Sequence, residues 1–251
     1  MGCCHLHTST PQILSRIPTN KPSQLSLFSS AQPKFRINNQ NQNQQPPPIS
    51  TTTVTQRQPP IPETDAYSVK FRTLGGCKLG ISRYPDFEYN AEGGTGSGTG
   101  LKIVDGDLDG EVSVNFDLET LYIPPLTSAT TRFLGLPLPP FLKIDIVPEL
   151  FRGIINQKSG KVDLEFRAKF LFSIGSIYKA PPLLVETVLT SEESKGTLRS
   201  GKGESLNEEG KCRLVGVATV DPIDDFLMDT FLSLPTECLA NMNATISFSS
   251  S

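Results

Sequence analysis

From Tyr67 onward, apolar and polar residues alternate. In Glu111–Glu119, Val112, Val114, Phe116 and Leu118 fall on one side, and Glu111, Ser113, Asn115, Asp117 and Glu119 on the other. In Lys161–Ile174 the apolar set is Val162, Leu164, Phe166, Ala168, Phe170, Phe172 and Ile174, opposed by Asp163, Glu165, Arg167 and Lys169, with Leu171 breaking the polar side. Period-two alternation predicts strands with one buried and one wetted face. The second run is long for a strand and implies a large curved sheet or a barrel stave. Further strands are expected at Tyr67–Leu74, Cys77–Arg83, Phe87–Ala91, Leu101–Val104, Lys143–Val147, Leu183–Leu189, Lys195–Ser200, Lys211–Val220 and Ala244–Phe248. Turn residues separate them: Gly75-Gly76, Pro85-Asp86, Gly93–Gly100, Asp105–Gly110, Lys158–Gly160 and Asn207–Gly210. The pattern predicts an all-β, mainly antiparallel domain, a β-sandwich or barrel.

One short C-terminal helix is expected. Asp221 suits the N-cap, Pro222 the first helical position, and Asp224 and Asp225 the first turn. Ile223, Phe226, Leu227 and Phe231 recur at helical spacing, and Pro235 limits the element. The helix reads as a lid or plug on the sheet.

Two apolar, proline-rich segments, Leu121–Ile144 and Ile177–Leu189, do not fit regular central strands. Pro124, Pro125, Pro137, Pro139, Pro140, Pro181 and Pro182 forbid a continuous ladder there. Around them stand Leu121, Tyr122, Ile123, Leu126, Phe133, Leu134, Leu136, Leu138, Phe141, Tyr178, Leu183 and Leu184. Proline lowers the entropy lost when a loop binds something. Apart from Leu121, these apolar and aromatic residues are the candidate ligand- or partner-binding set, unless they simply fold over the sheet as core.

The rest of the chain narrows the chemistry. Residues 1–62 contain five Lys/Arg and no Asp or Glu, with 14 Ser/Thr, 14 Asn/Gln and 10 of the 21 prolines. This composition is that of a disordered plastid transit peptide and linker. Met1-Gly2-Cys3-Cys4 suggests a lipidated tether instead, but Leu6 stands where the myristoylation pattern needs Ser or Thr. The domain proper is expected over residues 63–251, which carry 18 basic and 26 acidic side chains, a net −8. That charge argues against a nucleic-acid binder, which needs a basic face. Both histidines, His5 and His7, lie in the leader. Without it, nucleophile–histidine catalysis and His-ligated metals are excluded. No apolar run reaches the length of a spanning helix.

Motif-like stretches are weak. GGTGSGTG (Gly93–Gly100) lacks nucleotide-loop spacing and reads as a flexible hairpin tip. GTLRSGKG (Gly196–Gly203) has Gly203 where a phosphate loop needs Ser or Thr. Asp105, Asp107 and Asp109 open like a calcium loop, but Phe116 occupies the position of the bidentate Glu. Cys77, Cys212 and Cys238 match no zinc spacing and read as single buried residues, with Cys77–Cys212 or Cys212–Cys238 as alternative redox pairs. Tyr84, Asp86, Glu88 and Tyr89 offer an acid–base cluster, or simply the wet face of an edge strand. No cofactor is expected.

The segments YSVKFRTLGGCKLGISRYPDFEYNAEGG, FLGLPLPPFLKIDIVPE and VGVATVDPIDDFLM resemble a family of plant plastid-targeted, β-rich proteins to which no activity is attached. The resemblance spans residues 67–248 and implies a chloroplast protein, stromal or thylakoid-associated. Together these readings predict non-catalytic binding of a hydrophobic ligand (lipid or pigment) or docking at the thylakoid surface. The alternative is an assembly or scaffold factor contacting a membrane-associated plastid protein. A His-free enzyme using carboxylate, Tyr or Lys groups stands third.

Overall fold

The computed structural model describes residues 66–81, 83–103 and 110–250. All of them belong to the compact unit Gln58–Ser251. Their strands, in chain order, are β1 (Ala66–Thr73), β2 (Cys77–Ile81), β3 (Tyr84–Tyr89), β4 (Thr95–Lys102), β5 (Glu111–Phe116), β6 (Thr131–Phe133), β7 (Leu136–Pro137), β8 (Leu142–Asn156), β9 (Val162–Ile174), β10 (Tyr178–Lys179), β11 (Leu183–Thr190), β12 (Glu193–Lys195), β13 (Ser200–Lys202), β14 (Lys211–Val220) and β15 (Thr236–Ser250). The helix α1 (Phe226–Leu232) stands between the last two.

Antiparallel pairing runs β1–β4–β5–β8–β9–β11–β14–β15, and β15 returns to pair with β1. The sheet is therefore a closed ring, and the alternation read from the sequence resolves into a barrel. Closure leaves these strands no free edge. β15 serves two neighbours. Residues 244–250 pair with β1, while 238–241 pair with β2, which continues the wall through β3, β6 and β7. One end of the barrel is thus walled by β1, β4 and β5, the other by β2, β3 and β6. Ala66 and Ser250, the first and last described residues, sit at the same end as the β4–β5 and β8–β9 turns.

That end is filled. Val69, Val112, Val114, Ile155, Val162, Leu164, Leu214 and Ile246 are essentially inaccessible to solvent. Each contributes about 1.5–3 kcal/mol relative to an exposed position. Phe116 stacks on Phe151 with ring centroids 4.6 Å apart, and Phe71 meets both edge-on at 5.9 and 5.1 Å.

Three sequence expectations change. Gly93–Gly100 is largely not a hairpin tip: Thr95–Lys102 forms β4. Gly96, Gly98 and Gly100 occupy the inward positions of its alternation because the ring leaves no space there. A Cβ at Gly100 would lie 2.8 Å from Val112 Cγ1, one at Gly96 2.8 Å from Leu121 Cδ1, and one at Gly98 would collide with the Asn115 carbonyl. The strand expected at Lys143–Val147 runs on to Asn156 through Pro148. Pro148 is tolerated because β8 pairs there with β9 alone, β5 joining only near Arg152, and a bulge at Glu149 follows. Lys195–Ser200 is a hairpin turn between β12 and β13 rather than a strand.

The helix also begins later than expected. Asp225, not Asp221, is the N-cap, accepting the Met228 N–H at 2.9 Å. The Ile223 N–H is taken by Asp229 Oδ1 at 3.0 Å. Met228 and Leu232 form the buried face, Phe226 and Leu227 point outward, and Phe231 lies at the edge between them, half-exposed against Tyr84 and Phe172.

Candidate functional site

Between the filled end and α1 the barrel encloses a cavity of about 700 Å³. Its floor is Phe71, Phe151, Phe166 and Leu189. Its sides include Phe170, Phe172, Val185, Ala218, Ala240 and Met242. Met228 and Leu232 close it from above, with Phe231 beside them. These positions follow from the alternation: Phe166, Phe170 and Phe172 share the inward phase of β9 with Ala168, and Met228 and Leu232 are one helical turn apart.

One part of the wall is not held by a ladder. β11 and β14 share the single register pair Thr190–Val215 and separate toward the helical end. Leu183, Val185 and Thr187 line the cavity on one flank of this seam, and Gly216, Ala218 and Val220 on the other. Side chains bridge the gap: Thr187 Oγ1 donates to the Val217 carbonyl at 2.9 Å, and the Val217 N–H donates to Ser194 Oγ at 3.0 Å. Above it, Met228 and Leu232 pack with Phe172, Leu183 and Val220.

The wall carries no charged residue among the described residues. Most of its polar groups are already committed. The Thr73 and Tyr89 hydroxyls donate to the carbonyls of Ala91 and Pro124. Tyr84 donates to the Phe231 carbonyl at 2.6 Å. Burial pushes the Tyr89 phenol well above its ordinary range and lifts the Cys238 thiol to about 11. The lining therefore presents hydrocarbon and aromatic faces, not acid–base or nucleophilic groups.

Of the candidate set, Tyr122, Ile123, Leu126, Phe133, Leu134, Leu136, Leu138 and Leu183 line this cavity. Phe141, Tyr178 and Leu184 do not. Tyr178 packs against the outer ring of Phe172 with centroids 6.2 Å apart, and its hydroxyl faces Asp225. Phe141 and Leu184 point to solvent. Phe170, Phe172, Ala218, Met228, Leu232 and Cys238 belong to the wall although the proline-rich segments do not contain them.

The other chemical candidates are absorbed into structure. The GTLRSGKG stretch does form a cradle of N–H groups, but the chain fills it itself. Glu237 accepts from Thr197, Leu198 and Arg199 at 2.6, 2.8 and 2.9 Å, which holds its carboxyl below the usual range. Asp86 is paired with Arg199 at 2.7 Å, and Arg199 also donates to the carbonyls of Ile81 and Tyr84. Asp86 and Glu88 lie on the exposed side of β3 while Tyr89 is buried, so no buried carboxylate pair forms. Cys77, Cys212 and Cys238 are free thiols, each raised by burial, Cys212 to about 12. Among the described residues no group of three or more His, Cys, Asp or Glu is placed to hold a metal. Asp105, Asp107 and Asp109 lie outside the described residues.

No known protein family, no curated protein and no solved structure matches this chain. No helix among the described residues is long and apolar enough to cross a membrane.

Proposed function

We propose that this protein is a non-catalytic binder of a hydrophobic ligand, a lipid or pigment held inside the barrel. The observation that carries the reading is a cavity of about 700 Å³ whose lining contains no charged side chain among the described residues. That volume suits a small lipophilic molecule. Each methylene moved from water into the cavity is worth about 0.8 kcal/mol, so an acyl or isoprenoid chain supplies ample gross affinity without a polar anchor. The acid-free, Ser/Thr-rich composition of residues 1–62 supports a plastid location, which a reporter fusion of that segment tests.

The function is tested by native mass spectrometry of protein taken from its own tissue, with solvent extraction. The expected result is a copurifying lipophile, and displacement of a fluorescent fatty acid from the stripped protein. A correctly folded protein that carries nothing and binds no such probe would overturn the reading.

A further inference from the structure

The helical end of the barrel exposes large apolar side chains that the cavity does not use. Phe141 is 79% exposed, Ile177 91% and Phe226 86%. None of the three lines the cavity. They come from three separate elements brought together at the tip. The Phe141 carbonyl accepts the Gly175 N–H at 2.9 Å, which sets Phe141 beside the β9–β10 turn bearing Ile177. The next residue, Tyr178, belongs to the same apolar cluster as Ile223, Met228 and Leu232, which ties this turn to the helix that carries Phe226. Phe141 holds φ = +72°, a conformation disfavoured for a bulky residue, while presenting its ring to water. Other exposed apolar residues, Leu134, Leu136 and Phe231, do line the cavity.

We propose that this end docks on a lipid bilayer of electrically neutral headgroups, placing α1 and the β11–β14 seam against the surface from which ligand is drawn. The proposal rests on the binder reading above. Separate projecting tips suit a fluid partner that closes around each side chain better than a rigid protein face. The charge pattern selects the headgroup. Residues 221–232 contain Asp221, Asp224, Asp225 and Asp229 and no Lys or Arg. Of the neighbouring cations, Lys143 pairs with Asp145 at 2.8 Å and Arg83 donates to the Thr230 carbonyl and to Ser233, so the exposed Lys179 beside Ile177 stands against four carboxylates of the helix segment. An anionic surface would be repelled by the helix segment, so binding depends on apolar insertion.

The test is vesicle flotation of the full chain and of the triple variant Phe141→Asn, Ile177→Ser, Phe226→Ser. Asn is chosen at 141 because it tolerates positive φ. The wild type should float with phosphatidylcholine vesicles, and less with the same vesicles doped with phosphatidylglycerol. The variant should partition about tenfold or more weakly while binding a soluble fluorescent fatty acid as the wild type does. Equal flotation of the variant, flotation confined to anionic vesicles, or a wild type that dimerises through these tips instead of floating would each overturn the docking proposal. Flotation that persists in a protein unable to bind the fatty acid would overturn the binder reading and leave docking standing.

Discussion

The Asp225 carboxylate accepts the Met228 backbone N–H at 2.9 Å, and Met228, wholly buried, lines the cavity together with Leu232. The cap therefore helps to hold the helix that covers this part of the cavity. Asp225→Ala should leave the barrel folded but loosen α1. A several-fold faster release of bound fluorescent fatty acid, with faster amide exchange in Phe226–Leu232, is the expected result.

The same cap is pH-sensitive with a defined sign. The Met228 N–H and then the Tyr178 hydroxyl hold the Asp225 carboxyl below its ordinary range. A depressed folded value means the contribution is fully present above the unfolded pKa of about 3.9 and disappears as pH falls through the folded one. Ligand release should be flat from neutral pH down to mildly acidic pH and accelerate only below about pH 4. The Asp225→Ala variant should lack that acceleration. Glu237, depressed by the Leu198, Thr197 and Arg199 N–H groups, titrates with the same sign. Its effect should appear instead in the amide exchange of residues 196–199.

Gly98→Ala should destabilise the barrel by about 1–3 kcal/mol, read from the urea midpoint, because its Cβ would meet the backbone of Asn115 and Phe116. Thr99→Ala, on the outer side of the same strand, should shift the midpoint little.

Filling the cavity should separate binding from stability. Ala218 and Ala240 both line it. The double substitution Ala218→Leu, Ala240→Leu is expected to weaken fatty-acid binding by about tenfold or more, while the thermal midpoint of the empty protein holds or rises, since the new methyls bury in existing space.

Cys238 gives a chemical readout of occupancy. With its thiol near pKa 11, only about one part in a thousand is thiolate at pH 8. Labelling by a small apolar maleimide should be correspondingly slow. It should slow further when ligand fills the cavity.

Alternation made most of the barrel readable. In β5 and β9 the apolar side chains themselves mark the inward face, and Val112, Val114, Val162 and Leu164 are buried as their phase requires. β4 obeys the same period, but its inward residues are glycines, so the signal resembles a loop. β8 was shortened by Pro148, whose missing N–H matters only where two neighbours pair. The helix face was misassigned because α1 is apolar on both sides. Phe226 and Leu227 are as apolar as Met228 and Leu232, yet only the latter pair is buried, with Phe231 at the edge of the inward face. Leu134, Leu136 and Leu183 were legible as candidates from their proline-rich setting. The cavity was not, because a void depends on how strands from distant parts of the chain diverge, and no local pattern encodes that.

The position of the last strand has a practical meaning for handling the protein. Tyr67 pairs with Ser250 at the packed pole, so a segment joined after β15 leaves from the end of the barrel away from α1. An affinity tag joined after β15 would hold the molecule by its filled end. Immobilised that way on a sensor chip, it would present its ligand portal to the flowing phase.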